Sequence, residues 1–354
     1  MADKVLMKGN EALADAAIRV GCKHFFGYPI TPQTELAAYM SKVMPKIGGT
    51  YLQAESEVGA INMVLGAAAA GVRTMTSSSS PGISLKSEGI SYIAGSDLPA
   101  LIINVQRGGP GLGGIQPSQA DYWQATKGLA HGDFHLMVFA PSTVQEMVDM
   151  VANAFELSDK FRVPSMILAD GMLGQMMEPV SLPEPIDYKP NKPWASNGHK
   201  GEREHNIVNS LYLKPDKLEE KIRERFERYE RIKENHQMAE EYLVDDAQLI
   251  IVAYGASSRV ARSAVNKARE EGLKVGLVRP ITLWPFTTNA VQKAAKQADT
   301  LLVVEMSMGQ MVDDVKLVAG SDSKVEFYGR TGGIIPTPNE ILEQIKKLMG
   351  KVEK

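Results

Sequence analysis

Helical patterns alternate with short apolar runs over the first 180 residues, and this alternation constrains the fold more than any other feature. Helical patterns lie at residues 10–20, 34–43, 57–70 and 84–94, and apolar runs at 25–28, 72–76, 101–105, 136–139 and 165–169. Such alternation predicts the α/β class, with a parallel sheet and helices on both faces. Ligands of these sheets bind beyond the carboxyl ends of the strands, so the segments after each strand are the candidate site.

The composition changes near Pro183, which divides the chain. A proline-rich stretch leads to residues 214–243, where 17 of 30 residues are charged. Pairs such as Glu219 with Arg223 and Glu224 with Arg228 have the favourable i,i+4 order, which predicts one long solvated helix over this segment. The βα alternation restarts at residue 248. We therefore expect a first domain at 1–185, a linker and charged helix at 186–246, and a smaller α/β domain at 247–354.

Charge and cysteine content exclude several functions. The formal net charge of −3 gives no electrostatic basis for binding nucleic acid or an anionic membrane. Charges interrupt the amino-terminal segment, and no run approaches the roughly 18 apolar residues of a membrane span, so we expect a cytoplasmic protein. The single cysteine, Cys22, cannot form a disulfide within the chain or hold an iron–sulfur cluster. We expect Cys22 to be buried and inert.

Two strand ends carry hydroxyl groups beside the start of a helix. The segment Tyr28-Pro29-Ile30-Thr31-Pro32 ends the first predicted strand, and Thr31 can present its hydroxyl to a ligand next to free helix amides. Thr34 is the expected helix cap. The segment Ser77–Gly82 has the same layout, and its hydroxyls either contact a polar ligand or cap the next helix.

Glu57 is a candidate for proton chemistry. Glu55 and Glu57 stand at the start of a helix, where the helix dipole alone would favour an acid, so a capping role is the simpler interpretation. However, the helix that follows is nearly free of charge and must be largely buried. Glu57 at its mouth is therefore expected to be desolvated, as functional carboxylates often are.

Gly109–Gly114 matches the G-x-G-x-x-G dinucleotide fingerprint, but Pro110 and the following Ile115–Ser118 cannot begin the helix that this fingerprint requires. The segment is instead predicted to be a glycine-rich loop. Arg107 at its base is a candidate clamp for a carboxylate or phosphate, although an ordinary surface arginine is the commoner case. The chain has no Walker loop, H-E-x-x-H, C-x-x-C or G-x-S-x-G motif.

Together, YPITP (28–32), SEVGA (56–60), SSSSPGISL (77–85), QRGGPGLG (106–113) and the later AYGASSRVARSAV and RPITLWPF resemble the alpha subunit of 2-oxoacid:ferredoxin oxidoreductases. The resemblance covers nearly the whole chain in order. It is strongest to the 2-oxoisovalerate (3-methyl-2-oxobutanoate) branch, on the basis of QAESE, RGGPGLG and Ala130-His131-Gly132-Asp133.

The resemblance implies a thiamine diphosphate site shared between subunits. Residues 1–185 match its pyrimidine-binding domain and residues 247–354 a transketolase C-terminal-like domain. A beta subunit would supply the pyrophosphate and Mg²⁺ site, which accounts for the missing G-D-G motif and means that no metal is expected in this chain.

The resemblance also assigns roles to residues. Glu57 matches the glutamate that hydrogen-bonds the aminopyrimidine ring and favours its imino tautomer. Thr31 and Arg107 match positions that hold the substrate carboxylate. The remaining cofactor-binding positions are then Tyr28, Pro29, Ile30, Ser79 and Ser80.

The implied reaction converts a 2-oxoacid and coenzyme A to acyl-CoA, CO₂ and reduced ferredoxin, in a complex with a beta subunit, a gamma subunit and a ferredoxin-like subunit that carries the clusters. A 2-oxoglutarate or pyruvate enzyme subunit and a non-catalytic scaffold paralogue remain alternatives.

Overall fold

The computed structural model describes residues 4–350, and its largest element is a seven-stranded sheet. The strands of the first half are β1 (Val5–Lys8), β2 (His24–Gly27), β3 (Thr50–Gln53), β4 (Thr74–Ser78), β5 (Leu101–Gln106), β6 (Met137–Phe139), β7 (Ser165–Asp170) and β8 (Met177–Val180). A later strand, β12 (Thr282–Trp284), completes the sheet, whose order is β12-β6-β7-β5-β4-β2-β3. Its pairs are parallel except that β12 runs antiparallel to β6, and β1 and β8 form a separate antiparallel ribbon.

Helices cover this sheet, as the alternation predicted. They are α1 (Gly9–Arg19), α2 (Thr34–Val43), a 3₁₀ turn (Met44–Ile47), α3 (Glu57–Ala69), α4 (Ser80–Gly95), α5 (Tyr122–Thr126), α6 (Val144–Phe161) and α7 (Gly171–Gln175). Helix α4 begins four residues before the predicted start, because Ser79 is the extended residue before the helix and Pro81 is accepted in a first turn. Helix α6 was not predicted.

A second, smaller α/β unit follows, which confirms the predicted fold class. Its parallel strands are β10 (Leu249–Val252), β11 (Val275–Pro280), β13 (Thr300–Glu305) and β14 (Lys324–Gly329). Its helices are α9 (Gly255–Glu270), α10 (Thr288–Gln297), α11 (Met311–Ala319) and α12 (Pro338–Leu348). Helix α12 begins in a capping box: Glu340 N donates to Thr337 Oγ1 while Thr337 N donates to the Glu340 carboxylate.

The charged segment is shorter as a helix than predicted. Helix α8 covers Pro215–Asn235, and the next residues form β9 (Ala239–Tyr242), antiparallel to β11 at the edge of the second sheet. The helix over 236–243 was therefore wrong, because main-chain pairing with β11 outweighs the local charge pattern. The predicted Glu219–Arg223 pair forms, but Arg228 bonds Asp97 of the first domain instead of Glu224.

Residues 118–127 connect the two sheets. The Gln119 amide donates to the Tyr254 carbonyl at 2.8 Å, and its oxygen accepts from Ser257 Oγ at 2.8 Å and Met306 N at 3.0 Å. The Tyr122 hydroxyl donates to the Asp314 carboxylate at 2.5 Å. We call Gln119, Tyr122, Tyr254, Glu305 and Asp314 the interdomain seam. No helix within residues 4–350 is long and apolar enough to span a bilayer.

Candidate active site

The carboxyl ends of the parallel strands bring the predicted segments to one edge of the first sheet. Ser78 at the end of β4 pairs in register with Asn104 of β5, and Gln106 at the end of β5 pairs with Asp170 of β7. The segments after β2, β4 and β5 therefore leave the sheet on the same side. These are residues 28–33, 79–80 and 107–121.

Arg107 and Thr31 are in contact although 76 residues separate them in the chain. The Arg107 Nη1 donates to the Thr31 carbonyl at 3.0 Å, and its Nη2 donates to the Leu112 carbonyl at 3.4 Å. Arg107 Nε is buried and has no hydrogen-bond partner within residues 4–350. Thr31 itself is exposed. Arg107 therefore lies against the Thr31 main chain, and its Nε keeps a donor that no described residue uses.

Glu57 is buried at the first position of α3, with 7% of its surface exposed. It does not cap the helix, because Ser56 Oγ accepts the hydrogen bond from Gly59 N at 3.1 Å. A Cβ on Gly82 would lie 2.9 Å from Glu57 Oε1 and 2.1 Å from Ser78 Oγ. Only glycine lets the first turn of α4 come this close, so the carboxylate lies directly against the start of α4.

The serines after β4 have different surroundings. The Ser80 hydroxyl donates to the Asp121 carboxylate at 2.7 Å and accepts from Arg107 N at 3.0 Å, so it anchors the loop that carries Arg107. The Ser79 hydroxyl is buried, makes no cap hydrogen bond and has no partner within the described part of the chain. Ser79 therefore offers a free polar atom, whereas Ser80 is engaged in holding the site together.

The segment after β2 is partly open. Pro29 is exposed, and Tyr28 and Ile30 are half-buried. The buried Gln33 orders this turn, since its amide donates to the Tyr28 carbonyl at 3.2 Å and its oxygen accepts from Ser77 Oγ at 2.6 Å. The expectation that Thr34 caps α2 was wrong: Gln33 precedes the helix, and the Thr34 hydroxyl donates to the Ile30 carbonyl.

Sequence reasoning missed four polar residues of this edge, Gln33, Lys86, Asn104 and Asp121. Asp121 accepts from Ser80 and from Asn104 Nδ2 at 2.9 Å; burial raises its pKa, and both hydrogen bonds oppose this. Lys86 is wholly buried on α4, where burial lowers its pKa to about 8 and the Glu57 charge opposes the change. A polar residue inside an apolar pattern, such as Asn104 in LIINVQ, is the signal that was available.

Other features of the chain lie away from this edge. Within residues 4–350, no group of three or more His, Cys, Asp or Glu side chains could hold a metal ion. Cys22 is buried, as expected, and burial raises its pKa to about 12, which disfavours the reactive thiolate. Clefts of about 500 and 580 Å³ lie around Lys293 and around Arg262, in and beside the second domain.

Comparison with known proteins identifies the family. Residues 15–241 match the model described as pyruvate flavodoxin/ferredoxin oxidoreductase, thiamine diphosphate-binding. The chain belongs to this family. Residues 247–341 match core domain II of pyruvate:ferredoxin oxidoreductase. The two matches meet close to β9, where the second sheet begins.

Relatives of this family resemble the chain from end to end. Ketoisovalerate oxidoreductase subunit VorB of Methanothermobacter thermautotrophicus is 50% identical, over 98% of each chain. The 2-oxoglutarate synthase subunit KorA of the same organism is 37% identical, over 98% of this chain and 100% of that one.

Solved structures share the fold. The 2-oxoglutarate:ferredoxin oxidoreductase of Magnetococcus marinus, solved with 2-oxoglutarate, coenzyme A and succinyl-CoA bound, has a TM-score of 0.88 and 29% identity. This chain spans 65% of that longer chain, and 98% of its own length is covered. A split-gene transketolase in an inactive beta4 tetramer, at 13% identity and a TM-score of 0.59 over 98% and 99% of the two chains, shows the fold alone.

Proposed function

We propose that this chain is the pyrimidine-side subunit of a ketoisovalerate:ferredoxin oxidoreductase. The complex would convert 3-methyl-2-oxobutanoate, coenzyme A and two oxidised ferredoxins to 2-methylpropanoyl-CoA, CO₂, a proton and two reduced ferredoxins. The observation that carries this proposal is the convergence of Glu57, Ser79, Thr31 and Arg107 on one sheet edge, within the segment that matches the thiamine diphosphate-binding family model.

The residues of this edge fit an aminopyrimidine. Glu57 offers a desolvated carboxylate to a ring N–H, and the Ser79 hydroxyl is a buried polar atom with no partner in residues 4–350. Gly82 lets the first turn of α4 pack closely against Glu57, since a side chain there would collide with the carboxylate. When bound, thiamine diphosphate supplies the stabilised carbanion that decarboxylation of a 2-oxoacid needs. Glu57 would hold the ring and its proton, with Tyr28, Pro29, Ile30 and Ser79 around it, while Ser80 braces the Arg107 loop.

Arg107 and Thr31 would bind the substrate carboxylate. The guanidinium donates to the Thr31 and Leu112 carbonyls, which fixes its position beside Thr31. A charge-assisted hydrogen bond to a carboxylate is worth about 1.5–3 kcal/mol, enough to determine which end of a 2-oxoacid enters first.

The site would be completed by partner subunits. Five apolar side chains are exposed on α3, α4, α5 and the loop after β5: Val58, Leu85, Leu112, Ile115 and Trp123. Apolar exposure around a polar site supports a protein contact there. A chain with one cysteine cannot hold iron–sulfur clusters, so the electrons would leave through a cluster-bearing subunit, and Mg²⁺ with the pyrophosphate would be held by a beta subunit.

The preference for a branched 2-oxoacid rests on similarity. The chain is 50% identical to a ketoisovalerate oxidoreductase subunit and 37% identical to a 2-oxoglutarate synthase subunit of the same organism. The decisive experiment is to rank 2-oxoacids by kcat/KM with the reconstituted complex. We expect 3-methyl-2-oxobutanoate to rank first; a higher value for 2-oxoglutarate or pyruvate would contradict the branch assignment.

A second measurement tests the shared site. The chain alone should show no 2-oxoacid-dependent viologen reduction, whereas the complex should. Turnover by the isolated chain would refute the shared site. If the complex fails to bind thiamine diphosphate at all, the chain is a scaffold and the proposed function is wrong.

A further inference from the structure

A lysine is buried beside the candidate site, in the crossing of α3 and α4. Lys86 has no exposed surface, and its Nζ has no hydrogen-bond partner within residues 4–350. Removing an ammonium from water without compensation is strongly unfavourable. A buried Lys86 therefore calls for an opposite charge close by, which would offset the free energy lost by removing the ammonium from water.

Two glycines fix where Lys86 lies. A Cβ on Gly82 would be 2.9 Å from Glu57 Oε1, and a Cβ on Gly89 would be 2.4 Å from Ile61 Cγ2. Positions 82, 86 and 89 share one face of α4, because they are spaced by four and three residues. Since Glu57 and Ile61 are likewise one turn apart on α3, Lys86 enters the crossing between them.

Glu57 is the opposite charge. Among the described residues, it is the charged group that acts on Lys86, and it favours the ammonium form. Glu57 is itself 7% exposed, and Ser56 rather than Glu57 takes up the free amide of the helix start. The two buried charges therefore attract each other across the helix crossing, without a direct hydrogen bond within residues 4–350.

We propose that Lys86 is a positioning residue for Glu57, whose carboxylate is attracted by the buried ammonium and so held in place on the α3–α4 crossing. In that state Glu57 is ready to accept a hydrogen bond from a bound aminopyrimidine. The charge pairing is a property of this chain alone, whereas its consequence for the cofactor rests on the proposed function.

The first test is a double-mutant cycle on the thermal unfolding of the full chain, with Lys86→Met, Glu57→Gln and the double variant. Met has a similar length and no charge, so it fills the same space. We expect Lys86→Met to lower the unfolding temperature by several degrees more in the wild-type background than in the Glu57→Gln background. Only in the wild-type background does the substitution leave a buried carboxylate without its opposite charge. The same shift in both backgrounds would overturn the pairing.

Lys192→Met is the matched control. Lys192 is also buried, but its Nζ lies 2.6 Å from the Asp159 carboxylate. Its substitution should lower the unfolding temperature equally in the wild-type and Glu57→Gln backgrounds. Coupling of Lys192 to Glu57 as large as that of Lys86 would mean that the cycle reports general loosening, and would also count against the proposal.

The second test measures binding of thiamine diphosphate with Mg²⁺ to the assembled complex as a function of pH. Lys86→Met should weaken thiamine diphosphate binding about tenfold at neutral pH. As the pH is lowered, the affinity of this variant for the cofactor should begin to fall at a higher pH than that of the wild type. Lys86→Arg, which keeps the charge, should retain the wild-type pH profile even if its affinity is lower. A purely structural lysine would lower the unfolding temperature and leave the pH profile unchanged.

The two proposals fail in different ways. If the wild-type complex binds no thiamine diphosphate, the proposed function fails while the stability cycle still decides the pairing. Suppose instead that the cofactor binds and Glu57→Gln abolishes turnover. If Lys86→Met then shows no coupling to Glu57 in the unfolding temperature and no change in the pH profile of binding, only the positioning role of Lys86 is wrong.

Discussion

At the carboxyl edge of the seven-stranded sheet, buried polar atoms of Ser78, Ser79, Lys86, Asn104 and Arg107 have no partner within residues 4–350, whereas the interdomain seam bonds its buried polar groups. Glu305 is the clearest contrast. Its carboxylate accepts from the backbone N–H groups of Gln310, Met311 and Val312 and from Ser307 Oγ, at 3.0–3.3 Å.

Both regions bury carboxylates, so burial alone does not separate a site from a structural element. Burial raises the pKa of Glu305, and its hydrogen-bond donors oppose this. Glu57 is also buried, but it accepts no hydrogen bond from the free amides at the start of its helix, because Ser56 caps that helix. Buried polar groups are normally satisfied, so the cluster of unpaired atoms at this edge is where a ligand or partner can complete the structure, although single unpaired atoms also occur elsewhere, as at His24 and Thr287. The predictions below test this distinction, from the largest expected effect to the smallest.

Glu57→Gln should lower turnover of the assembled complex by at least about a thousandfold, roughly 4 kcal/mol, because the amide cannot take up and return a ring proton. Steady-state viologen reduction with saturating 2-oxoacid measures this, expressed per folded molecule because the same change leaves the buried Lys86 ammonium without its opposite charge and should also lower the unfolding temperature. The matched control is Glu55→Gln, an exposed neighbour two residues away, which should stay within a few-fold of wild type. Near-normal rates for Glu57→Gln would remove it from the chemistry.

Glu305→Ala should have the opposite signature. It strands three backbone N–H groups at the start of α11 and should lower the free energy of unfolding by about 3 kcal/mol or more. Denaturant unfolding measures the loss, and Ser307→Ala, which removes one donor, should cost about 1 kcal/mol. Turnover per folded molecule should not change; a selective loss of kcat would mean that the seam takes part in the reaction.

Arg107→Ala should raise the apparent KM for the 2-oxoacid by about 10- to 150-fold, which corresponds to a charge-assisted contact of about 1.5–3 kcal/mol. Arg107→Lys should recover part of this. Arg223, whose exposed guanidinium pairs with Glu219, is the control, and its alanine variant should leave KM unchanged. An unchanged KM in Arg107→Ala would show that the arginine only orders the Leu112 loop.

His135 should contribute a smaller, pH-dependent amount to the stability of the fold, and it has no part in the candidate site. Its ring stacks on Trp284 at 4.6 Å, and burial lowers its pKa to about 4. The unfolded imidazole takes up a proton near pH 6.5, so this contribution to stability is complete above pH 6.5 and is lost as the pH falls toward 4.

His135→Phe should therefore flatten the decline of the unfolding temperature between pH 7 and 5 without abolishing it, since burial also lowers the pKa of His24 and His236. Differential scanning calorimetry measures the slope. His131→Phe is the control at an exposed position and should keep the wild-type slope. An unaltered slope in His135→Phe would show that the ring is not held neutral.

Local patterns predicted the strongly periodic elements. Helices α2 and α3 begin at the predicted residues, and β5 was placed to within one residue. Short edge strands such as β12 and β9 were missed because their pairing partners are distant in the chain, at 138–139 for β12 and at 277–280 for β9. The rejection of a dinucleotide fingerprint at 109–114 was correct, since no helix begins between this loop and Tyr122.

The amino-acid sequence by itself determined the α/β class, the family and the edge of the sheet where chemistry-bearing side chains collect, because periodicity and strand-end motifs are local properties. The sequence also shows that a chain with one cysteine cannot hold an iron–sulfur cluster, so any electrons for ferredoxin must pass through another subunit. Only the tertiary structure decided which of those polar side chains are satisfied. Ser79 and Ser80 are adjacent and chemically identical, yet Asp121, 41 residues away from Ser80, engages one hydroxyl and leaves the other free. Hydrogen-bond satisfaction and the burial of Lys86 against Glu57 depend on contacts between distant segments, which no local pattern specifies.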